Sequence, residues 1–97
     1  MKTIYKYQIH PDSVVHWHCP INIVAPKDAR PVFVGVQNGI TYLWCEVELD
    51  NPIINQEVLL CIGTGHGKVP EGCIYFGSVV VEGYVWHFYR KFQLQEQ

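Results

Sequence analysis

Charged residues are scarce in this chain. Asp, Glu, Lys and Arg make up 16% of its 97 residues, against about 25% in an average soluble domain. Its seven Lys and Arg residues are spread along the sequence without a basic run. We therefore do not expect a surface that follows the phosphates of a nucleic-acid polymer, although two or three donors would suffice for one small anion. A small chain with so few charges often covers apolar surface by self-association, and we expect a homo-oligomer.

Long apolar runs are missing too. No stretch offers the roughly 20 apolar residues of a transmembrane helix, and residues 1–6 are not followed by the apolar region of a secretory signal. These absences predict a protein of the reducing cytoplasm with unpaired thiols. The cysteines are Cys19, Cys45, Cys61 and Cys73. None belongs to a C-x-x-C pair, so we expect no structural zinc and interpret all four as small core residues.

Helical periodicity is also absent. Gly, Pro, Asn and Asp interrupt the chain every ten residues or so, and runs rich in Val, Ile, Tyr, Phe and Trp lie between them. The pattern predicts one antiparallel all-β domain spanning residues 1–97, a sandwich or small barrel of about seven strands. The predicted strands are 3–9, 14–19, 32–37, 40–49, 57–62, 74–81 and 84–92. Residues 21–25 either extend the second strand or cover a sheet edge, and a loop of about six residues follows Asp50.

Two short turns define hairpins. Asn38 and Gly39 are the strongest signal, because both residues tolerate the positive φ of a type I′ turn. Glu82 and Gly83 form the turn of a final hairpin. Its returning strand alternates Tyr84, Trp86, Phe88 and Arg90 on one face with Val85, His87 and Tyr89 on the other. Because both faces are largely apolar, we expect the opposite sheet to cover one and a partner subunit the other.

The most unusual stretch is the glycine-rich segment 63–68. Three glycines in five residues expose backbone N–H groups and permit positive φ, which predicts a concave nest for phosphate or carboxylate oxygens. Thr64, His66 and Lys68 add side-chain donors. The spacing is not that of a P-loop, and no helix is predicted after it. The alternative interpretation is a flexible loop between strands.

Residues that could support catalysis are few. His16 and His18 share one face of a predicted strand and could bind a metal if a third ligand joined them, the alternative being surface histidines. No Ser-His-Asp or Cys-His nucleophile pair can be argued, since the two serines, Ser13 and Ser78, lie outside a nucleophile elbow. Acidic residues are scattered and form no catalytic pair. The sequence therefore favours binding over catalysis, with no cofactor and no metal.

Aromatic residues make up 13% of the chain. Most are expected to pack in the core, but one or two lining a pocket could stack on a nucleobase. Trp44 and Trp86 are the candidates for such stacking. Arg90 and Lys68 are the candidates for neutralising a bound phosphate.

Several segments, in order along the chain, carry a family resemblance. They are 1–7 (MKTIYKY), 36–39 (VQNG), 42–44 (YLW), 63–66 (GTGH), 75–79 (YFGSV), 82–83 (EG) and 85–88 (VWHF). Together they resemble a family of small proteins found mostly in bacteriophages and prophages and classed as a domain of unknown function. The stretch from residue 10 to residue 30 fits least well.

The resemblance implies a phage protein that acts in the bacterial host cytoplasm. Small phage β proteins of this kind include oligomeric "sponges", which bind nucleotide immune signals and withhold them from the host effector. Such signals are the cyclic ADP-ribose derivatives of the Thoeris pathway and the cyclic dinucleotides of CBASS. By analogy, this chain is expected to be an anti-defence protein that sequesters a nucleotide-derived signal without cleaving it.

This hypothesis assigns a role to each candidate residue. The expected ligand-binding residues are Gly63, Thr64, Gly65 and His66 on the phosphates, Trp44 or Trp86 on the base, and Lys68 or Arg90 for charge. Two alternatives remain open at this point. One is a protein-binding inhibitor or accessory phage protein, and the other is a small metal-dependent phosphodiesterase that uses His16, His18 and His66.

Overall fold

A computed structural model describes residues 1–11 and 19–91. The described residues form seven strands and no helix: β1 Lys2–Gln8, β2 Cys19–Pro26, β3 Arg30–Gln37, β4 Ile40–Glu48, β5 Ile53–Gly63, β6 Cys73–Val81 and β7 Tyr84–Lys91. The all-β prediction is confirmed, as is the number of strands. In this part of the chain no helix is long and apolar enough to cross a membrane.

The strands form two antiparallel sheets that pack face to face. Sheet A has the order β1-β4-β3, and sheet B has the order β2-β5-β7-β6. On β4, Leu43, Cys45 and Val47 are buried while the residues between them are partly exposed, so the pleat turns one face of sheet A to the core. The sheets approach closely at β3 and β6, where a Cβ on Gly77 would lie 3.0 Å from Val34 Cγ1.

Both predicted hairpin turns are confirmed. Asn38 and Gly39 have φ angles of 53° and 78°, and Glu82 and Gly83 have φ angles of 51° and 84°. Two successive positive φ angles are those of a type I′ turn, whose twist matches that of the paired strands. The turns fix the register of the β3–β4 and β6–β7 hairpins, since one residue on each side of the turn closes the ladder.

Two strands differ from the prediction by more than two residues at one end, and the others by one or two residues at most. Residues 21–25 belong to β2, an edge strand of sheet B, whereas the predicted strand 14–19 lies outside the described residues except for Cys19. β5 begins at Ile53, not at residue 57, so the predicted six-residue loop after Asp50 is too long. Gln56 explains this, because its Nε2 donates to the carbonyl oxygens of Ala25 and Pro26, each at 3.0 Å. Hydrogen bonds to a segment distant in sequence thus stabilise this polar side chain within β5.

Four free thiols are present, and two of them lie in the core. Cys45 and Cys61 are fully buried between the sheets. Burial raises the pKa of each thiol from 9.0 to about 12. Cys19 and Cys73 are half-buried, so a thiol reagent should reach them first.

The buried thiols predict a loss of stability at high pH. Because the folded-state pKa exceeds the unfolded one, the contribution of the neutral thiols is complete below pH 9.0 and declines as the pH rises towards about 12. Denaturant unfolding over this range should show the free energy of unfolding falling. The control is the Cys45→Ala/Cys61→Ala double variant, which lacks both thiols and whose fall should be shallower. An equal slope in both proteins would show that the thiols are not the source.

Candidate functional site

One cavity lies at the end of sheet B where the glycine-rich loop meets the final hairpin. It encloses about 730 Å³, within the range of roughly 300–1,000 Å³ typical of small-ligand sites. Its described lining residues are Pro11, Gly63, Thr64, His66, Val81, Glu82, Gly83, Tyr84, Val85 and Trp86. The wall therefore combines a polar loop, two aromatic rings and one carboxylate.

Four of the predicted ligand-binding residues meet in this cavity: Gly63, Thr64, His66 and Trp86. Strand pairing brings them together. Gly63 is the last residue of β5 and lies opposite Trp86 on β7, and the Thr64 N–H donates to the carbonyl oxygen of Val85 at 3.2 Å. The loop is thus held directly beside the aromatic strand.

The loop itself begins as a tight turn. The His66 N–H donates to the Gly63 carbonyl at 3.0 Å, and Gly65 has a φ of +76°. A Cβ on Gly65 would meet nothing within 4 Å, so glycine is favoured here by the positive φ and not by crowding within the protein. The N–H groups of Thr64 and His66 are both used inside the fold. An anion in the cavity would therefore depend on the side chains of these two residues.

The final hairpin contributes two aromatic rings to the cavity lining. The rings of Tyr84 and Trp86 have centroids 6.4 Å apart and planes inclined by 38°. Trp86 packs partly on the core, whereas Tyr84 is 65% exposed. Glu82 places a carboxylate at the turn, and within the described part of the chain no Lys or Arg lines this cavity. The cavity therefore offers two aromatic rings, and among the described residues no cation lines it.

Two predicted site residues lie elsewhere. Trp44 projects from the outer face of sheet A, where its ring centroid is 5.4 Å from that of Phe33. It is on the opposite side of the pleat from the buried residues of β4. Arg90 lines a different hollow at the other end of β7, four residues or about 13 Å along the strand from Trp86. Lys68 and Gly65 belong to the same loop as Thr64 but do not line the cavity.

A chain of four hydrogen-bonded side chains adjoins the cavity. The Tyr75 hydroxyl lies 2.7 Å from Ser78 Oγ, and Ser78 Oγ lies 2.8 Å from His87 Nδ1. His87 Nε2 in turn lies 2.8 Å from Thr64 Oγ1. Sequence reasoning missed this pairing of a serine with a histidine. The signal was available, because a two-residue turn at 82–83 places Ser78 opposite His87.

Comparison with known proteins adds a family but no activity. Residues 1–97 match the family described as a domain of unknown function (DUF7352). The chain belongs to this family. Neither a search of curated proteins nor a search of solved structures found a match. For this DUF7352 chain, the geometry of the cavity is therefore the main evidence of function.

The histidine metal site remains a hypothesis. His16 and His18 lie outside the described residues. Among residues 1–11 and 19–91 there is no group of three or more His, Cys, Asp or Glu side chains that could hold a metal ion. His66 lies in the cavity of this DUF7352 chain, and its candidate role there is as a hydrogen-bond donor.

Proposed function

We propose that this protein is a phage anti-defence protein that binds a nucleotide-derived immune signal and sequesters it without cleaving it. It would act as a homo-oligomer in the cytoplasm of the bacterial host. One observation carries the proposal: Thr64 and His66 line the same cavity as the aromatic residues Tyr84 and Trp86. A nucleotide has the same two parts, acceptor oxygens at one end and a planar ring at the other.

Each wall would contribute in a different way. Stacking of a base on an aromatic side chain is worth about 1–3 kcal/mol. Hydrogen bonds from Thr64 and His66 to phosphate oxygens would fix the orientation of the ligand, since bonds to a charged group are stronger than neutral ones. Sequestration requires tight binding, and a nanomolar Kd corresponds to about −12 kcal/mol. A second subunit closing the open side would raise affinity by excluding water from these contacts.

The composition of the hydrogen-bond chain supports binding over turnover. Tyr75, Ser78, His87 and Thr64 supply three hydroxyls and one imidazole. In a Ser-His-Asp triad a carboxylate on the imidazole stabilises the charge that develops during attack. In the described chain the neutral hydroxyl of Ser78 takes the place of that carboxylate on the imidazole of His87. The hydrogen-bond chain is therefore suited to orienting a ligand.

A ligand-depletion experiment tests the function. The protein is mixed with a panel of cyclic dinucleotides and ADP-ribose derivatives, free ligand is separated by ultrafiltration, and the retained protein is then denatured by heat. We expect one signal class to disappear from the filtrate and to be recovered intact after heating. Recovery of a converted product would indicate an enzyme. If no member of the panel is depleted, the nucleotide proposal is wrong.

His66→Ala should weaken binding of the depleted nucleotide. Loss of a hydrogen bond to a charged oxygen should cost on the order of 2 kcal/mol, about thirtyfold in affinity. His66 lies on an exposed loop, so the melting temperature should change little. Isothermal titration calorimetry measures the affinity, and thermal unfolding is the control. Unchanged affinity would show that His66 does not contact the phosphates.

Glu82→Gln should strengthen binding of the same anionic ligand. The substitution removes a negative charge from the cavity wall but keeps the shape of the side chain. The expected gain is about two- to fivefold, since exposed charge pairs are worth up to about 1 kcal/mol. Glu71→Gln is the matched control, because Glu71 is exposed and does not line the cavity. A weaker affinity in Glu82→Gln would mean that the carboxylate accepts a hydrogen bond from the ligand.

The outer face of sheet A favours a second candidate function, inhibition by binding another protein. Phe33 is 60% exposed there, and together with Ile4 and Trp44 it lines a shallow hollow of about 460 Å³. Exposed apolar surface of this kind is common at protein interfaces. A Phe33→Ser variant that keeps nucleotide binding but loses anti-defence activity would favour this candidate.

A further inference from the structure

The direction of the hydrogen-bond chain determines what the cavity can recognise. A neutral imidazole carries one N–H and one acceptor nitrogen, so His87 must donate to one neighbour and accept from the other. If His87 donates to Ser78, the Thr64 hydroxyl proton is used on Nε2 and Thr64 offers only lone pairs to the cavity. If His87 donates to Thr64, the Thr64 proton is free to point at a ligand.

Tyr75 selects between these two directions. A phenol is a stronger hydrogen-bond donor than an aliphatic hydroxyl and a weaker acceptor, because its oxygen lone pair is delocalised into the ring. The Tyr75 hydroxyl should therefore donate to Ser78 Oγ across their 2.7 Å contact. In the described chain Ser78 Oγ has only Tyr75 and His87 as hydrogen-bond partners, so once it accepts from Tyr75 its own proton can be used only on His87 Nδ1. His87 then carries its proton on Nε2 and donates to Thr64.

The geometry at Thr64 agrees with this direction. Thr64 Oγ1 lies 3.4 Å from the carbonyl oxygen of Val85, which is long for an O–H···O bond. That carbonyl already accepts from the Thr64 N–H at 3.2 Å. The Thr64 hydroxyl proton is thus poorly satisfied within the protein, while the residue lines the cavity. An acceptor oxygen on a ligand would satisfy it better, and successive donors in one direction polarise one another.

We propose that Tyr75, Ser78 and His87 are positioning residues that present the Thr64 hydroxyl proton to an anionic or carbonyl oxygen of the ligand. This deepens the proposed function, on which it rests for the identity of the site, by assigning the acceptor oxygens of the ligand to Thr64. It also favours, at this position, a ligand group that accepts a hydrogen bond over one that can only donate.

The first test uses the ligand-free protein. Nitrogen NMR of ¹⁵N-histidine-labelled protein at about pH 8.5, where an ordinary imidazole is neutral, reports which ring nitrogen of His87 carries the proton. We expect the Nε2–H tautomer. Ser78→Ala should shift His87 towards a mixture of tautomers, and Ser78→Thr, which keeps a hydroxyl, should restore it. Finding His87 in the Nδ1–H form in the parent protein would overturn the proposal, whether or not any nucleotide binds.

The second test uses inorganic phosphate as the probe, because phosphate presents acceptor oxygens without a base. Titration should shift the Thr64 and His87 resonances saturably. Thr64→Val, which has the same shape without the hydroxyl, should weaken phosphate binding about tenfold. Tyr75→Phe should weaken it by a smaller factor and keep the edge-on packing on Tyr89, where the ring centroids are 5.6 Å apart. Equal phosphate affinity in Thr64→Val and the parent would refute the assignment, while failure of the nucleotide proposal alone would appear only in the depletion experiment.

Discussion

Phe88→Ala should destabilise the protein more than any other single truncation considered. Among the described residues Phe88 is the largest fully buried side chain, with 0% of its surface exposed, and it belongs to the core cluster between the two sheets. Removing its ring leaves a cavity, and such changes cost about 3–5 kcal/mol. Small domains have a total stability of only about 5–15 kcal/mol. Chemical denaturation followed by tryptophan fluorescence measures the loss.

Two further variants make this result interpretable. Phe88→Leu keeps most of the apolar volume, so it should cost only about 1–2 kcal/mol and fold even if the alanine variant does not. Val80→Ala is the matched surface control on the same sheet, because Val80 is 63% exposed. Its effect should stay within about 0.5 kcal/mol. Comparable losses of stability in Val80→Ala and Phe88→Ala would contradict the placement of the Phe88 side chain between the two sheets.

Trp86→Ala should abolish most of the nucleotide binding, whereas Trp44→Ala should leave it unchanged. The two tryptophans are alike in type, but only Trp86 lines the cavity, while Trp44 lies on the outer face of the other sheet. Loss of base stacking is worth about 1–3 kcal/mol, up to about a hundredfold in affinity. Calorimetric titration with the nucleotide depleted by the parent protein measures both variants.

Trp86 also packs against the core. The effect of its loss on folding must therefore be separated from the effect on base stacking. Trp86→Phe retains an aromatic ring and much of that packing, so it should bind with intermediate affinity. The folded fraction of each variant is checked by circular dichroism before titration. If Trp44→Ala loses affinity while Trp86→Ala keeps it, the ligand lies on sheet A and the cavity at the final hairpin is not its site.

Local chemistry was sufficient to predict the class of fold. The Asn38-Gly39 and Glu82-Gly83 turns are encoded by residues that accept positive φ, and both form as predicted. Alternation of apolar and polar residues then indicates the strands, because the pleat has a period of two. The start of β5 at Ile53 escaped prediction, since Gln56 belongs to the strand only through its bonds to Ala25 and Pro26.

The candidate site, too, could be predicted from the sequence only in part. Its loop was visible in the sequence, because Gly65 needs a positive φ and Thr64 and His66 are donors beside it. The sequence did not show which tryptophan would lie beside that loop. Trp44 and Trp86 belong to different sheets, and the assignment of strands to sheets depends on which strands pair. The Ser78–His87 pairing follows from the hairpin register, but its link to Thr64 does not.

The sequence by itself thus determined the local features: two turns, alternating strands, a sparsely charged chain and a glycine-rich loop rich in donors. The tertiary structure alone decided that β5 pairs with β7, which sets Gly63 opposite Trp86 and Thr64 against His87. The physical reason is that backbone conformation and amphipathic pattern are encoded within a few neighbouring residues. The pairing of distant strands is a cooperative choice among many registers, made by the packing of the whole core.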